Sequence, residues 1–272
     1  MLSEFYVTVE DFEVNLGKAS RKLAEWDGVC HFQRFRMQDL GRDMISLREA
    51  FVRAHINATM WAYDREYDVN RAPNPTSQMN VNITAYLLKA RAFDKQETAS
   101  IEAYLEQSRK KMERLARQQL SRAAEESEKS TWELKVIYKA YFLFIRAFHD
   151  ACYGVFLNIA GLTTGKLQTM SSCIKKEIKS PVYQHVSKIH GYVEWFKNFK
   201  KMRDTIKMGV DPSLCGPCGD IGIGFNRKIT PEGGISIDCG TTSNLFRIRD
   251  LISAFQYSTA LLESISRAIP NR

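Results

Sequence analysis

A chain of 272 residues with 44% apolar content can bury a substantial core, and its 26% charged residues fit a globular protein rather than a disordered one. Its formal net charge of +8 directs attention to polyanions, membrane surfaces or acidic partners. The acidic start MLSEFYVTVEDFEV lacks a basic n-region and an apolar h-region, so neither a secretory leader nor a mitochondrial presequence is expected, and the six cysteines are expected as reduced thiols in a cytoplasm.

In chain order, residues 10–26 are predicted helical, with a cap near Thr8. Arg36 to about Tyr67 is predicted as one long helix, because Met37, Leu40, Met44, Leu47, Phe51, Ala54, Ala58 and Trp61 follow a 3-4 spacing that lines one face. Asp68–Asn80 holds two prolines and little apolar content, which predicts a loop. A short helix is expected over 82–93. Lys95–Lys129 is predicted as a second long helix with a thin stripe of Ile101, Leu105, Met112, Leu115 and Leu120. Glu106–Lys110, Glu113–Arg117 and Glu125–Lys129 are spaced as i, i+4 ion pairs. A narrow stripe of this kind fits a helix packed on one side or a coiled-coil seam.

Residues 132–160 are predicted as the next helix, apolar almost all round. Val136–Ala160 is long enough to cross a bilayer, yet Lys139, Arg146, His149 and Asp150 fall inside it, and each ionisable group at mid-membrane costs ~2.5 kcal/mol or more. It is therefore expected as the central helix of a bundle, with no membrane span. Helices are predicted at 166–179 and 182–208, the latter ending at Gly209. Residues 209–240 hold eight of the fifteen glycines, and Ile221, Ile223 and Phe225 precede a turn at Thr230–Gly234 that leads to Ile235, Ile237 and Cys239. This pattern predicts a β-hairpin. The last helix is predicted from Asn244, with Leu245, Ile248, Ile252, Phe255, Leu262 and Ile269 on one face. The fold class expected is mostly α: a single domain, 1–272, of long antiparallel helices with a small β-hairpin inserted over 209–240 before the C-terminal helix.

Cys215-Gly-Pro-Cys218 is compatible with a redox pair, a zinc site or a tight turn. A redox pair needs a strand before it and a helix after it, whereas Asp-Pro-Ser-Leu precedes and glycines follow. Zinc needs four ligands, and Cys239 is the only nearby third. A turn with two small thiols is expected, with no metal, disulfide or cofactor. Gly219-Asp-Ile-Gly222-Ile-Gly224 lacks the strand and helix that a phosphate loop requires.

The charge is not evenly spread. Lys166–Lys207 carries ten basic against three acidic residues, +7 of the whole chain's +8. On Tyr192–Lys207 an apolar face of Tyr192, Phe196, Phe199, Met202 and Ile206 opposes Lys197, Lys200, Lys201, Asp204 and Lys207, with Arg203 at the border. Lys197, Lys200, Lys201 and Lys207 are the candidate polyanion contacts. Arg146, His149 and Asp150 interrupt the most apolar helix. Arg146, Asp150, Arg203 and Asp204 are expected to form buried ion pairs across the two helices, Arg203 with Asp150 or Arg146 with Asp204, since unpaired charge there is costly.

FIRAFHDACYGV followed by WFKNFKKMRDTIKMG resembles the HEPN-like helical bundles over roughly residues 130–210. In that superfamily a late helix carries Arg, a polar residue and, four to six residues after the Arg, a His. Arg203 and Asp204 match the first part, and Lys207-Met208-Gly209 stands where Lys-His-Gly is expected. The resemblance implies a homodimer and, in active members, a metal-independent ribonuclease of the toxin or defence type. The His is the acid/base there, and the thioether of Met208 moves no protons. The resemblance therefore implies a non-catalytic binding or regulatory module that contacts nucleic acid or an acidic protein partner. Its alternatives are a ribonuclease using Arg203 with Asp204, Arg146 or His149, and a structural assembly protein joined through 95–129.

Overall fold

The computed structural model describes residues 1–26, 31–71, 95–162, 169–176, 180, 182–207, 213–215, 221–224, 227–229, 235–237 and 245–270. The protein is mostly α. Its helices are α1 (Leu2–Glu25), α2 (His31–Ser46), α3 (Arg48–Arg71), α4 (Lys95–Ile159), α5 (Met170–Lys176), α6 (Tyr183–Val186), α7 (Tyr192–Lys207) and α8 (Ile248–Ala268). Among the described residues, five short strands precede α8: β1 (Ser213–Cys215), β2 (Gly222–Gly224), β3 (Arg227–Ile229), β4 (Ile235–Ile237) and β5 (Leu245–Arg247). The chain divides into two compact units, 1–55 with 133–272, and 56–132. In the second unit the expected pair Glu106–Lys110 forms at 3.7 Å. The short helix expected over 82–93 lies outside the described residues, as do residues 72–80 of the expected loop; α3 itself runs on to Arg71.

The core of the larger unit follows from helical periodicity. Phe5, Val9, Phe12, Leu16, Ala19 and Leu23 recur every three or four residues along α1 and are buried. They face Ile248, Leu251, Ile252, Phe255 and Leu262 of α8, also buried. The Phe255 ring lies 5.3 Å from Phe12, 5.9 Å from Phe5 and 5.8 Å from Tyr141, edge-to-face in each case. A second aromatic group joins α4, α7 and β5: Phe142 stacks on Phe199 at 5.0 Å and meets Phe246 at 4.5 Å. Trp132–Ile159 is long and apolar enough to cross a membrane, and 67% of its most apolar window is buried, as a core helix requires.

Element boundaries differ from expectation for local reasons. Thr8 does not cap α1; it lies inside the helix, and its hydroxyl donates to the Glu4 carbonyl at 2.8 Å. The helix expected from Arg36 to Tyr67 breaks at Leu47, where the Ser46 hydroxyl donates to the Asp43 carbonyl and competes with the helical ladder. The two helices expected at 95–129 and 132–160 are one, since no Gly or Pro occurs between Lys95 and Tyr153 to end it. The helix expected over 182–208 is interrupted over 187–191, and the interruption ends at Gly191, whose φ of +72° is left-handed. A Cβ there would also stand 2.7 Å from the Tyr257 hydroxyl. Gly191→Ala should cost about 1–2 kcal/mol from the backbone conformation alone, read as a lower urea midpoint; an unchanged midpoint would contradict it.

Among the described residues these strands form two small antiparallel sheets, one ordered β1-β2-β5 and one pairing β3 with β4. The β3–β4 ladder, with Ile229 opposite Ile235 and Arg227 opposite Ile237, has the register expected for a turn near Pro231 and Glu232. Gly222–Gly224, expected to belong to that hairpin, instead pairs Ile223 with both Leu214 and Phe246. The strand partner Leu245–Arg247 was expected as the start of α8. The Asp250 carboxylate accepts the Arg247 N–H at 2.7 Å and starts the helix at Ile248.

Candidate functional site

The residues that interrupt the apolar face of α4 gather against α7, α5 and α8. His149 is fully buried. Its Nδ1 lies 2.9 Å from the Tyr192 hydroxyl and its Nε2 3.0 Å from the Ser258 hydroxyl. Because the Ser258 hydroxyl donates to the Ala254 carbonyl at 2.8 Å, it accepts from Nε2–H. Nδ1 is then the acceptor for the Tyr192 O–H, which fixes the tautomer through the network. The imidazole lies near-parallel to Tyr192 at 5.7 Å and to Phe196 at 5.8 Å. Burial, and then the charge of Arg146, pull its pKa down to about 3. His149 is thus neutral, with both nitrogens engaged and no route to solvent. It cannot take a substrate's proton near neutral pH.

One turn before His149, Arg146 pairs with Asp150 at 2.7 Å along α4; the approach is close, but its angle lies outside hydrogen-bond geometry. The guanidinium also lies over the Phe196 ring, 4.8 Å from its centroid, tying α4 to α7. Asp150 Oδ1 accepts the Met170 N–H at 2.8 Å, so the same carboxylate anchors the start of α5. Burial pushes the Asp150 carboxyl up, opposed by Arg146 and by the Met170 hydrogen bond. Burial lowers the proton affinity of Arg146, while Asp150 raises it.

Arg203 and Asp204 pair with each other at 3.0 Å, and Lys200 approaches Asp204 at 3.6 Å. The cross-helix ion pairs expected from the sequence are absent among the described residues: each acid takes its base from its own helix. A base four residues earlier, or the preceding residue, is already in reach, and the Phe196 ring occupies the space over Arg146. The two groups still share one neighbourhood, since Arg203 and Asp204 both act on the Arg146 charge and Arg203 on that of Asp150.

Lys197 and Lys201 are exposed and Lys200 is partly exposed, on the side of α7 away from buried Tyr192, Phe196 and Phe199. The Lys207 side chain, Met208, Cys218 and Cys239 lie outside the description, and of Cys215 only its place at the end of β1 is described. Among the described residues, no three of His, Cys, Asp and Glu converge as a metal site. Cys152 and Cys173 are buried free thiols.

Two members of the buried network, Tyr192 and Ser258, carry a signal in the sequence. Tyr192 is a hydroxyl-bearing ring on an otherwise hydrocarbon face, and such a group needs a partner once buried. Ser258 falls on the core face of α8, between Phe255 and Leu262, where a lone hydroxyl calls for an acceptor. The Met170 N–H carries no side-chain signal at all. No family model matches the chain, and no curated protein or solved structure matches it.

Proposed function

We propose that the protein is a non-catalytic, HEPN-like binding module that holds nucleic acid, single-stranded RNA first, on the basic face of α7. The observation that carries this reading is the separation of the helix into two sides, with Tyr192, Phe196 and Phe199 buried and Lys197 and Lys201 turned to solvent. Lys200 lies beside them, 3.6 Å from Asp204. Phosphates meet such a face through charge, with release of counterions. The ribonuclease alternative needs a proton-transfer group to replace the histidine missing at Met208. His149 is a poor substitute, because both of its nitrogens are engaged in a closed network. The same reading makes the protein a cytoplasmic homodimer, whose mass light scattering would report.

Fluorescence anisotropy of a labelled RNA across a salt series tests the proposal. Binding should weaken steeply with salt, and replacing Lys197, Lys200 and Lys201 together by Ala should flatten the log-log slope by about 2, at ~0.7 per lysine for single strands. The RNA should remain intact in EDTA. No binding at low salt by folded protein would defeat the nucleic-acid reading and favour an acidic protein partner. Cleavage in EDTA that Arg203→Ala abolishes would establish the ribonuclease instead.

A further inference from the structure

We propose a second site, independent of the α7 face: the cleft between residues 185–189 and the last two turns of α8 binds the phosphate group of a small phosphoester. The cleft has a volume of about 500 Å³ and is lined by His185, Lys188, Ile189, Ala260, Ser264 and Arg267, closed by Ala268. Small-molecule sites span roughly 300–1,000 Å³, so a phosphate and a modest organic group fit.

The chemistry of the lining is one-sided. Its side chains supply two cations, an imidazole and a hydroxyl, and no carboxylate. Glu263, next to Ser264 in sequence, is not among the lining residues. Neither Lys188 nor Arg267 enters any ion pair among the described residues. Arg146 and Lys200, by contrast, each lie beside an acid, Asp150 and Asp204. Two unneutralised cations facing one concavity create a positive potential that a dianion relieves.

The imidazole is held in place rather than free to turn away. His185 stacks on Phe156 of α4, centroids 5.2 Å apart and rings 19° from parallel. Burial and the nearby Lys188 charge lower its proton affinity, which is the condition of a histidine that lacks an anion beside it. Ser264 is buried and offers its hydroxyl from the α8 wall.

A helix carboxyl end repels anions, and the cleft lies at that end of α8. Here the repulsion is reduced. The Lys22 ammonium of α1 donates to the Ser266 carbonyl, and the Ile269 N–H takes the Ile265 carbonyl at 3.2 Å. The exposed lysines of α7 lie along one helix and suit a polymer. The cleft instead gathers Lys188 and Arg267 at one concavity, with Ile189, Ala260 and Ala268 available to the organic part of the ligand.

Imidazole-region NMR of full-length labelled protein tests the site, with inorganic phosphate, adenosine monophosphate and uncharged adenosine as probes. The His185 ring signals should shift saturably with phosphate and with the monophosphate, toward the protonated form, and not with adenosine. Tighter binding of the monophosphate would assign the organic part to the apolar wall; equal binding would make free phosphate the ligand. Lys188→Ala/Arg267→Ala should weaken binding by roughly tenfold or more, as the loss of one to two charge-assisted hydrogen bonds predicts. Lys197→Ala/Lys201→Ala should leave it unchanged, which separates this site from RNA binding on α7. No saturable shift with either anion, or an equal shift in the folded Lys188→Ala/Arg267→Ala protein, would overturn the proposal.

Discussion

Acidification from pH 6.5 toward pH 3 should cost the fold on the order of 5 kcal/mol through His149 alone. In the unfolded chain the imidazole takes a proton below its ordinary pKa of 6.5; in the folded protein it resists protonation down to about 3. Between those values the unfolded state binds the extra proton, so stability falls as pH falls. The loss is a large share of the ~5–15 kcal/mol that holds a typical domain together. Protonation would put a second donor where the Tyr192 hydroxyl now donates, beside the Arg146 charge. His149→Gln keeps a donor and an acceptor but cannot titrate. Its stability, from urea unfolding at several pH values, should therefore decline less steeply than that of the wild type. Asp150, raised by burial, and the other carboxylates titrate in both proteins and cancel in the difference. Parallel curves from pH 6.5 to 4 would show that His149 is not the group taking up the proton.

How much of this was legible in the sequence depends on whether the determining interaction was local. The class of fold and the buried faces of α1, α4 and α8 follow from 3-4 spacing, and the β3–β4 register follows from the turn that joins the strands. Gly191 shows the opposite case: one glycine in a helical pattern reads as tolerated, and only its positive φ marks the break. β5 was also hidden, because Leu245 and Ile248 satisfy a helical face as well as a strand, and the Asp250 cap decides between them. For the candidate site, sequence placed Arg146, His149 and Asp150 on one helix and Arg203 and Asp204 on a later one. Which partners they take depends on the packing of α5, α7 and α8 around α4. Spacing along one chain segment carries no information about the Met170 N–H or the Ser258 hydroxyl. Lys188 and Arg267 are 79 positions apart, so the cleft they share was invisible for the same reason.

Removing the Asp150 carboxylate should destabilise the protein by about 3 kcal/mol or more, far beyond what removal of Asp204 costs. The two acids look alike in sequence, each near a base on an aromatic helix. Burial separates them: the side chain of Asp150 is 17% exposed and that of its partner Arg146 only 7%, whereas Asp204 is 39% exposed. Asp150→Ala leaves a buried guanidinium over the Phe196 ring, without its nearest counter-charge and with Asp204 acting on it only weakly, and it also frees the Met170 N–H at the start of α5. Asp204→Ala removes a solvent-screened pair, worth ~1 kcal/mol or less. Asp150→Asn divides the effect, since an amide oxygen can still accept from Met170 while the charge is lost. Burial outweighs Arg146 in setting the proton affinity of Asp150, and a buried ion pair replaced by hydrocarbon of similar volume is often lost at little net cost. Arg146→Met/Asp150→Leu should therefore recover most of the stability lost by either single replacement, with a coupling of ~2 kcal/mol or more in the double-mutant cycle. Chemical denaturation of Asp150→Ala, Asp204→Ala, Asp150→Asn, the double replacement and its two single replacements, with wild type as reference, decides it. If Asp150→Ala and Asp204→Ala unfold together at the wild-type midpoint, the Arg146–Asp150 pair does not hold α4, α5 and α7 together, and the cluster is a solvated surface feature.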